Sequence, residues 1–138
     1  MIKIPTEELL LGNSQPMRRL RAAIGKIAQR PEPVLICGPT GSGKELVATA
    51  LHHESGRRGR LVAFNVCAMP DTMIEDLLFG HVRGAFTGAA TDSPGYLVEA
   101  DGGTAFFDEV SGLGTGAQTK LLRAIETGVF RPVGGRAD

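Results

Sequence analysis

Between residues 38 and 45 the chain reads Gly-Pro-Thr-Gly-Ser-Gly-Lys-Glu. Glycines at 38, 41 and 43 allow a backbone to curl tightly around an anion, and the lysine supplies a point charge for outer phosphate oxygens. An uninterrupted apolar run, Val34 to Cys37, precedes this loop, and a stretch of helical character, Lys44 to His53, follows it. Strand, glycine loop and helix start, in that order, are the setting in which such a pattern (a Walker A loop) cradles a polyphosphate. Gly38, Pro39, Thr40, Gly41, Ser42, Gly43, Lys44 and Glu45 are therefore the candidate binding residues. An ordinary strand-to-helix turn is the competing reading, and the flanking elements count against it. Glu45 departs from the general pattern, which has Ser or Thr there to contact magnesium.

Two carboxylates, Asp108 and Glu109, follow the apolar run Thr104-Ala105-Phe106-Phe107. At a strand end, one carboxylate can reach a nucleotide-bound magnesium ion while the other reaches a water. Acid pairs after strands are often just solvated, but co-occurrence with the glycine loop favours the Walker B reading. A third motif is Gly84-Ala85-Phe86-Thr87-Gly88-Ala89. One large aromatic among small residues in a glycine-bounded loop is hard to explain as packing, so Phe86 is expected to be displayed toward a partner rather than folded onto the core.

Positioning these groups requires alternating elements. Ser14 is expected to cap an amphipathic helix with Met17, Leu20, Ile24 and Ile27 on one face, ended by Pro31 and Pro33. Val34 to Cys37 is expected as a short buried strand, Leu61 to Asn65 as a second strand, and Thr104 to Phe107 as a third. Helices are expected at Lys44 to His53, at Asp71 to Leu78, and from a Thr115 cap to a Gly128 terminator. Gly80 to Gly95 reads as a loop, long enough to suggest function. The outcome is an α/β fold, a parallel sheet flanked by helices, with ligands at the carboxyl ends of the strands.

The 138 residues fit one domain, residues 1–138, and the 15 basic and 15 acidic residues cancel. Nothing global therefore favours nucleic acid or an anionic membrane. Cys37 and Cys67 lie in apolar runs, which predicts buried thiols in a reducing compartment. Met1 to Gly12 lacks the pattern of a signal peptide, and no apolar stretch has the length of a membrane span, so a soluble cytoplasmic protein is expected. His52, His53 and His81 have no metal-ligand spacing and read as surface or packing residues. Arg57, Arg58 and Arg60 read as a solvated loop.

With GAFTGA intact at Gly84 to Ala89, the chain resembles the first half of the AAA+ domain of bacterial sigma-54-dependent transcription activators, the bacterial enhancer-binding proteins. Leu78-Phe79-Gly80-His81, Asp101-Gly102-Gly103-Thr104, Lys120-Leu121-Leu122-Arg123 and Val133-Gly134-Gly135 agree with that family, so the resemblance runs from about Leu11 to Arg136. It implies a P-loop NTPase of AAA+ type that binds ATP with magnesium. Lys44 would hold the outer phosphates, Asp108 the magnesium, and Glu109 would activate the attacking water. Asn65 would couple Glu109 to nucleotide state, Leu11 and Gly12 would lie against the adenine, and Gly84, Ala85, Phe86, Thr87, Gly88 and Ala89 would engage the sigma-54 factor. Glutamate at position 45 is usual in the family.

The family also carries a sensor strand, arginine fingers, a helical lid and a DNA-binding domain beyond the part matched here. The resemblance implies a fold truncated before the sensor strand and the lid, with a gap in the sheet between the Val34 to Cys37 strand and the one ending in the acid pair. It implies a homo-oligomeric ring in the complete protein, with DNA contacted only through a domain absent here. Arginine fingers raise phosphoryl-transfer rates about a thousandfold to a hundred-thousandfold, so slow or absent turnover is expected of this segment alone. A nucleotide- or sigma-factor-binding module without hydrolysis is thus the alternative function. A generic P-loop kinase would leave GAFTGA unexplained. Val82, Leu77 and Pro39 depart from the family, which commonly has acidic residues at those positions.

Overall fold

The structure, a computed structural model, describes residues 5–135. Arg136, at the far limit of the resemblance, and Met1, which opens the stretch weighed as a leader, lie outside them. A short helix α1 (Thr6–Leu9) leads into α2 (Gln15–Ile27). As expected, Ser14 caps α2, its hydroxyl accepting from the Met17 amide at 3.5 Å. Of the apolar face, Ile24 is buried and packs with Leu10 and Ala50, and Met17 and Leu20 close over them. Ile27 is 38% exposed. This cluster docks α2 onto α3 (Lys44–Ser55), the helix opened by the glycine loop.

Strand β1 (Leu61–Asn65) pairs in parallel with β4 (Thr104–Asp108), and Asn65 stands level with Asp108. Between them the chain forms α4 (Asp71–Phe79), the short strands β2 (Gly80–His81) and β3 (Ser93–Pro94), and α5 (Tyr96–Glu99). After β4 comes α6 (Thr115–Thr127). Gly114, rather than Thr115, occupies its N-cap position, and Gly128 ends it with left-handed backbone as expected. The main core joins Phe64 and Val66 to Ile74, Leu78 and Phe79 of α4 and to Leu113, Ala117 and Leu121. Helix α5 was not legible in the sequence, because four residues are too few to show a period.

The expected buried strand Val34 to Cys37 is not formed. These residues lie outside any helix or strand, and Leu35 is 78% exposed. A strand exists only through a hydrogen-bonded neighbour, and here the neighbouring space is a cleft of about 860 Å³. Val34, Leu35, Ile36 and Cys37 line one side, and Ala105, Phe106 and Phe107 of β4 line the other. This is the place where the resemblance implies a gap in the sheet. The parallel sheet of the described residues thus has two strands, β1 and β4.

The cysteines also depart from expectation, since Cys37 and Cys67 are both free and exposed. Cys37 faces the cleft instead of a neighbouring strand, and Cys67 lies in the turn that follows β1. None of the described helices is long and apolar enough to cross a membrane.

Candidate nucleotide site and partner loop

At the head of α3 the glycine loop turns through Gly41 and Gly43, whose φ angles of 78° and 85° are left-handed. Side chains with a Cβ resist that region, so the sequence needs glycine there. Gly43 caps α3 and brings Lys44 into its first turn. The Lys44 ammonium lies 3.5 Å from the Gly38 carbonyl and 3.4 Å from that of Pro39, inside the curl of the loop. Glu45 lies in the same helical turn, exposed, where a negative charge complements the helix dipole.

The acid pair converges on that lysine. Lys44 Nζ is 3.8 Å from Asp108 Oδ1 and 3.5 Å from Glu109 Oε1. The Thr40 hydroxyl donates to the same Glu109 oxygen at 3.3 Å. The structure therefore brings Gly38, Pro39, Thr40, Lys44, Asp108 and Glu109 to one place, although residues 40 and 109 are 69 apart in the chain. Glu109 has φ 52°, and among the described residues it is the non-glycine with left-handed backbone. Such a conformation costs an L-residue about 1 to 2 kcal/mol. It directs the chain out of β4 into a short turn closed by the Gly112 amide on the Glu109 carbonyl, 2.9 Å.

Asn65 ends β1 beside Asp108, the first residue of the acid pair. Among the described residues, the hydrogen bond to the Glu109 carboxylate comes from Thr40 rather than Asn65. Leu11 is 75% exposed, and Arg21 fixes the segment around it by donating to the carbonyls of Leu10 at 2.7 Å and Gly12 at 2.8 Å. Leu10 is buried against α3, so this segment is tied to the helix that starts at the glycine loop.

Lys44, Asp108 and Glu109 are among the residues that line the large cleft, most of whose wall is apolar. Its polar part is where Lys44 meets the acid pair. The remainder is the space beside β4.

Gly84 to Ala89 occupies the loop between β2 and β3, which pair antiparallel. The sequence reads as a plain loop from Gly80 to Gly95, yet its two ends pair as β2 and β3 and its centre is closed by its own hydrogen bonds, Gly84 amide to Ala89 carbonyl at 2.9 Å and Ala89 amide to Phe86 carbonyl at 3.0 Å. Asp92 accepts from the Arg83 amide at 2.7 Å. Phe86 is 46% exposed, displayed but not free, because its ring meets His81 edge-on. His81 in turn bonds Asp76 of α4 through Nδ1. Neither partner was foreseen, and no local signal marks them.

Two further residues keep their simplest reading, His52 as a packing histidine and Arg57 as an exposed loop residue, but each has a specific partner. His52 is buried, with Nδ1 2.9 Å from the Thr104 hydroxyl. Burial, reinforced by the charges of His53 and Arg57, lowers its pKa below the ordinary value of 6.5. Arg57 is exposed but donates to the Gly103 carbonyl at 3.2 Å, tying the turn before β1 to the turn before β4.

Comparison with known proteins gives the same pattern a context. A family model described as the sigma-54 interaction domain matches residues 10–138. The response regulator protein PilR of Pseudomonas aeruginosa is 47% identical over 135 residues, spanning 97% of this chain and 30% of PilR. The DNA-binding transcriptional regulator NtrC of Rhizobium meliloti is 45% identical over 128 residues, 92% of this chain and 26% of NtrC. Among solved structures, NtrX from Brucella abortus in complex with ATP superposes with a TM-score of 0.83 at 36% identity, covering 93% of this chain and 27% of NtrX. The chain thus spans between a quarter and a third of the length of these relatives.

Proposed function

The chain belongs to the sigma-54 interaction domain family, and on that premise we propose that it is the ATP-binding part of a sigma-54-dependent transcription activator, whose ATP hydrolysis remodels the sigma-54 polymerase complex. The observation that carries this reading is the convergence of Asp108 and Glu109 on Lys44 at the mouth of the glycine loop. A cation flanked by two acids beside a helix N-terminus suits a triphosphate and its counter-ion. The carboxylate oxygens are hard donors of the kind magnesium takes, and Asp108 is the residue that would hold it. Bound there, the ion would neutralise charge on the phosphate oxygens.

In this reading the loop amides and Lys44 orient the outer phosphates. Glu109 takes a proton from water as the water oxygen bonds to the terminal phosphorus and the bond to the leaving ADP oxygen breaks. Asn65 adjoins the acid pair and conveys its state along β1, and exposed Leu11, with Gly12, offers an apolar surface to the adenine. Residues Gly84 to Ala89 present Phe86 and Thr87 to the sigma factor. The complete protein assembles as a homo-oligomeric ring, works in the cytoplasm, and contacts DNA through another domain.

The open cleft beside the acid pair favours a second reading for the 138-residue segment. On its own it binds nucleotide or sigma factor without appreciable turnover, because the acid pair that would activate water lines an open cleft. Affinity for ATP and the rate of phosphate release, measured on one sample with Lys44→Ala as control, test both. Loss of the lysine is expected to weaken binding by at least about tenfold. Equal affinity in the variant would sink the phosphate assignment, and substantial turnover by the segment would sink the second reading.

A further inference from the structure

The Thr40 hydroxyl contact is separate from the loop's phosphate-binding role. Its distance to Glu109 Oε1 is 3.3 Å, and the same oxygen is 3.5 Å from the Lys44 ammonium. Lys44 also lies 3.8 Å from Asp108 Oδ1, and its side chain is 15% exposed. The cation of the loop thus has two carboxylates beside it, and one of them is tethered across the mouth of the loop by a threonine. The backbone of Glu109 is left-handed, which fixes where its side chain emerges from β4.

We propose that Thr40 is a positioning residue that latches Glu109 over the phosphate loop, so that an incoming polyphosphate must displace a carboxylate to reach Lys44. The inference rests on the ATP-binding reading and adds a gate to it. Phosphate oxygens and the Glu109 carboxylate compete for one ammonium group. Like charges held at that distance disfavour the anion with which they compete, and a hydrogen bond that pins the carboxylate strengthens that competition. The latch therefore lowers affinity for polyphosphate, and it acts only through the charge on Glu109.

Calorimetric titration of the 138-residue chain with ATP and magnesium, and separately with inorganic triphosphate, tests this. Thr40→Val removes the donor at nearly constant volume and is expected to tighten binding of both ligands by about threefold to tenfold. Thr40→Ser keeps the donor and is expected to bind both ligands more weakly than Thr40→Val does. In a Glu109→Gln background, itself expected to bind more tightly because the competing charge is gone, Thr40→Val is expected to make no further difference. A purely structural role for Thr40 would weaken binding in both backgrounds. The latch is overturned if Thr40→Val binds like the parent or more weakly, or if its effect persists beside Glu109→Gln. Absence of ATP binding by the parent chain, or binding untouched by Lys44→Ala, would overturn the ATP reading and the latch with it. Lys44-dependent binding with no effect of Thr40→Val would remove the latch alone.

Discussion

The imidazole of His81 meets the ring of Phe86 edge-on, with centroids 5.0 Å apart and planes at 69°. Asp76 on α4 accepts the hydrogen bond of His81 Nδ1, so the aromatic of the GAFTGA loop rests on a shelf built from the preceding helix. An edge-to-face pair contributes about 0.5 to 1.5 kcal/mol beyond the area it buries, enough to bias where Phe86 points without freezing it.

Removing the shelf should release the aromatic. His81→Ala is expected to speed chymotryptic cleavage after Phe86 by about threefold to tenfold, with little change at other sites. Unchanged cleavage would mean that the loop's own hydrogen bonds, and not His81, hold Phe86.

The base of the same loop depends on Gly134. Its φ is 75°, and a Cβ placed there would approach the Ala85 Cβ to 2.7 Å. Val133 reaches across to β2, accepting from the Val82 amide at 3.1 Å and donating to the Gly80 carbonyl at 2.8 Å. Gly134→Ala is expected to cost about 1 to 3 kcal/mol and to raise hydrogen exchange at the Val82 amide before the rest of the chain is affected. Protection of that amide equal to the parent's would mean that Gly134 does not hold the base of the loop.

Phe79 joins the loop to the core. It is 1% exposed, its ring lies 5.9 Å from that of Phe130, and the Lys120 ammonium stands over it. Phe79→Ala should destabilise the chain by about 3 to 5 kcal/mol in denaturant unfolding, and Phe79→Leu by distinctly less. A loss below about 1 kcal/mol would be inconsistent with so complete a burial.

Stability should also fall with acid because of His52. Burial lowers its folded pKa below 6.5, the value it has when unfolded. Above that value the imidazole is neutral in both states. As pH drops below it, the unfolded chain takes up a proton that the folded chain does not, and stability declines until the folded pKa is reached. One such group gives at most about 1.4 kcal/mol per pH unit. Thermal unfolding of the parent and of His52→Gln between about pH 7 and pH 5 should show a shallower decline in the variant. Parallel profiles would assign the acid sensitivity elsewhere.

Much of the fold and site was legible because it is written locally. Leu61 to Asn65 forms the strand that its composition predicted, and Ser14 and Gly128 delimit helices as their backbone chemistry requires. The glycine loop that opens α3 follows from glycine spacing and a lysine at a helix start, and the acid pair from its place at a strand end. These depend on neighbours within one turn or one strand. Whatever depends on a distant partner was decided only by the tertiary structure. Val34 to Cys37 carries the residues of a buried strand, yet it faces the open cleft, because a strand needs a neighbour that its own sequence cannot supply. The same cause exposes Cys37. The bond from Thr40 to Glu109 and the shelf from Asp76 through His81 to Phe86 likewise arise where chain segments meet in space. The sequence determined which groups could do chemistry here, through spacing and local backbone preference. Only the tertiary structure determined which of them restrain one another, because hydrogen bonds and ring contacts form between atoms brought together by folding.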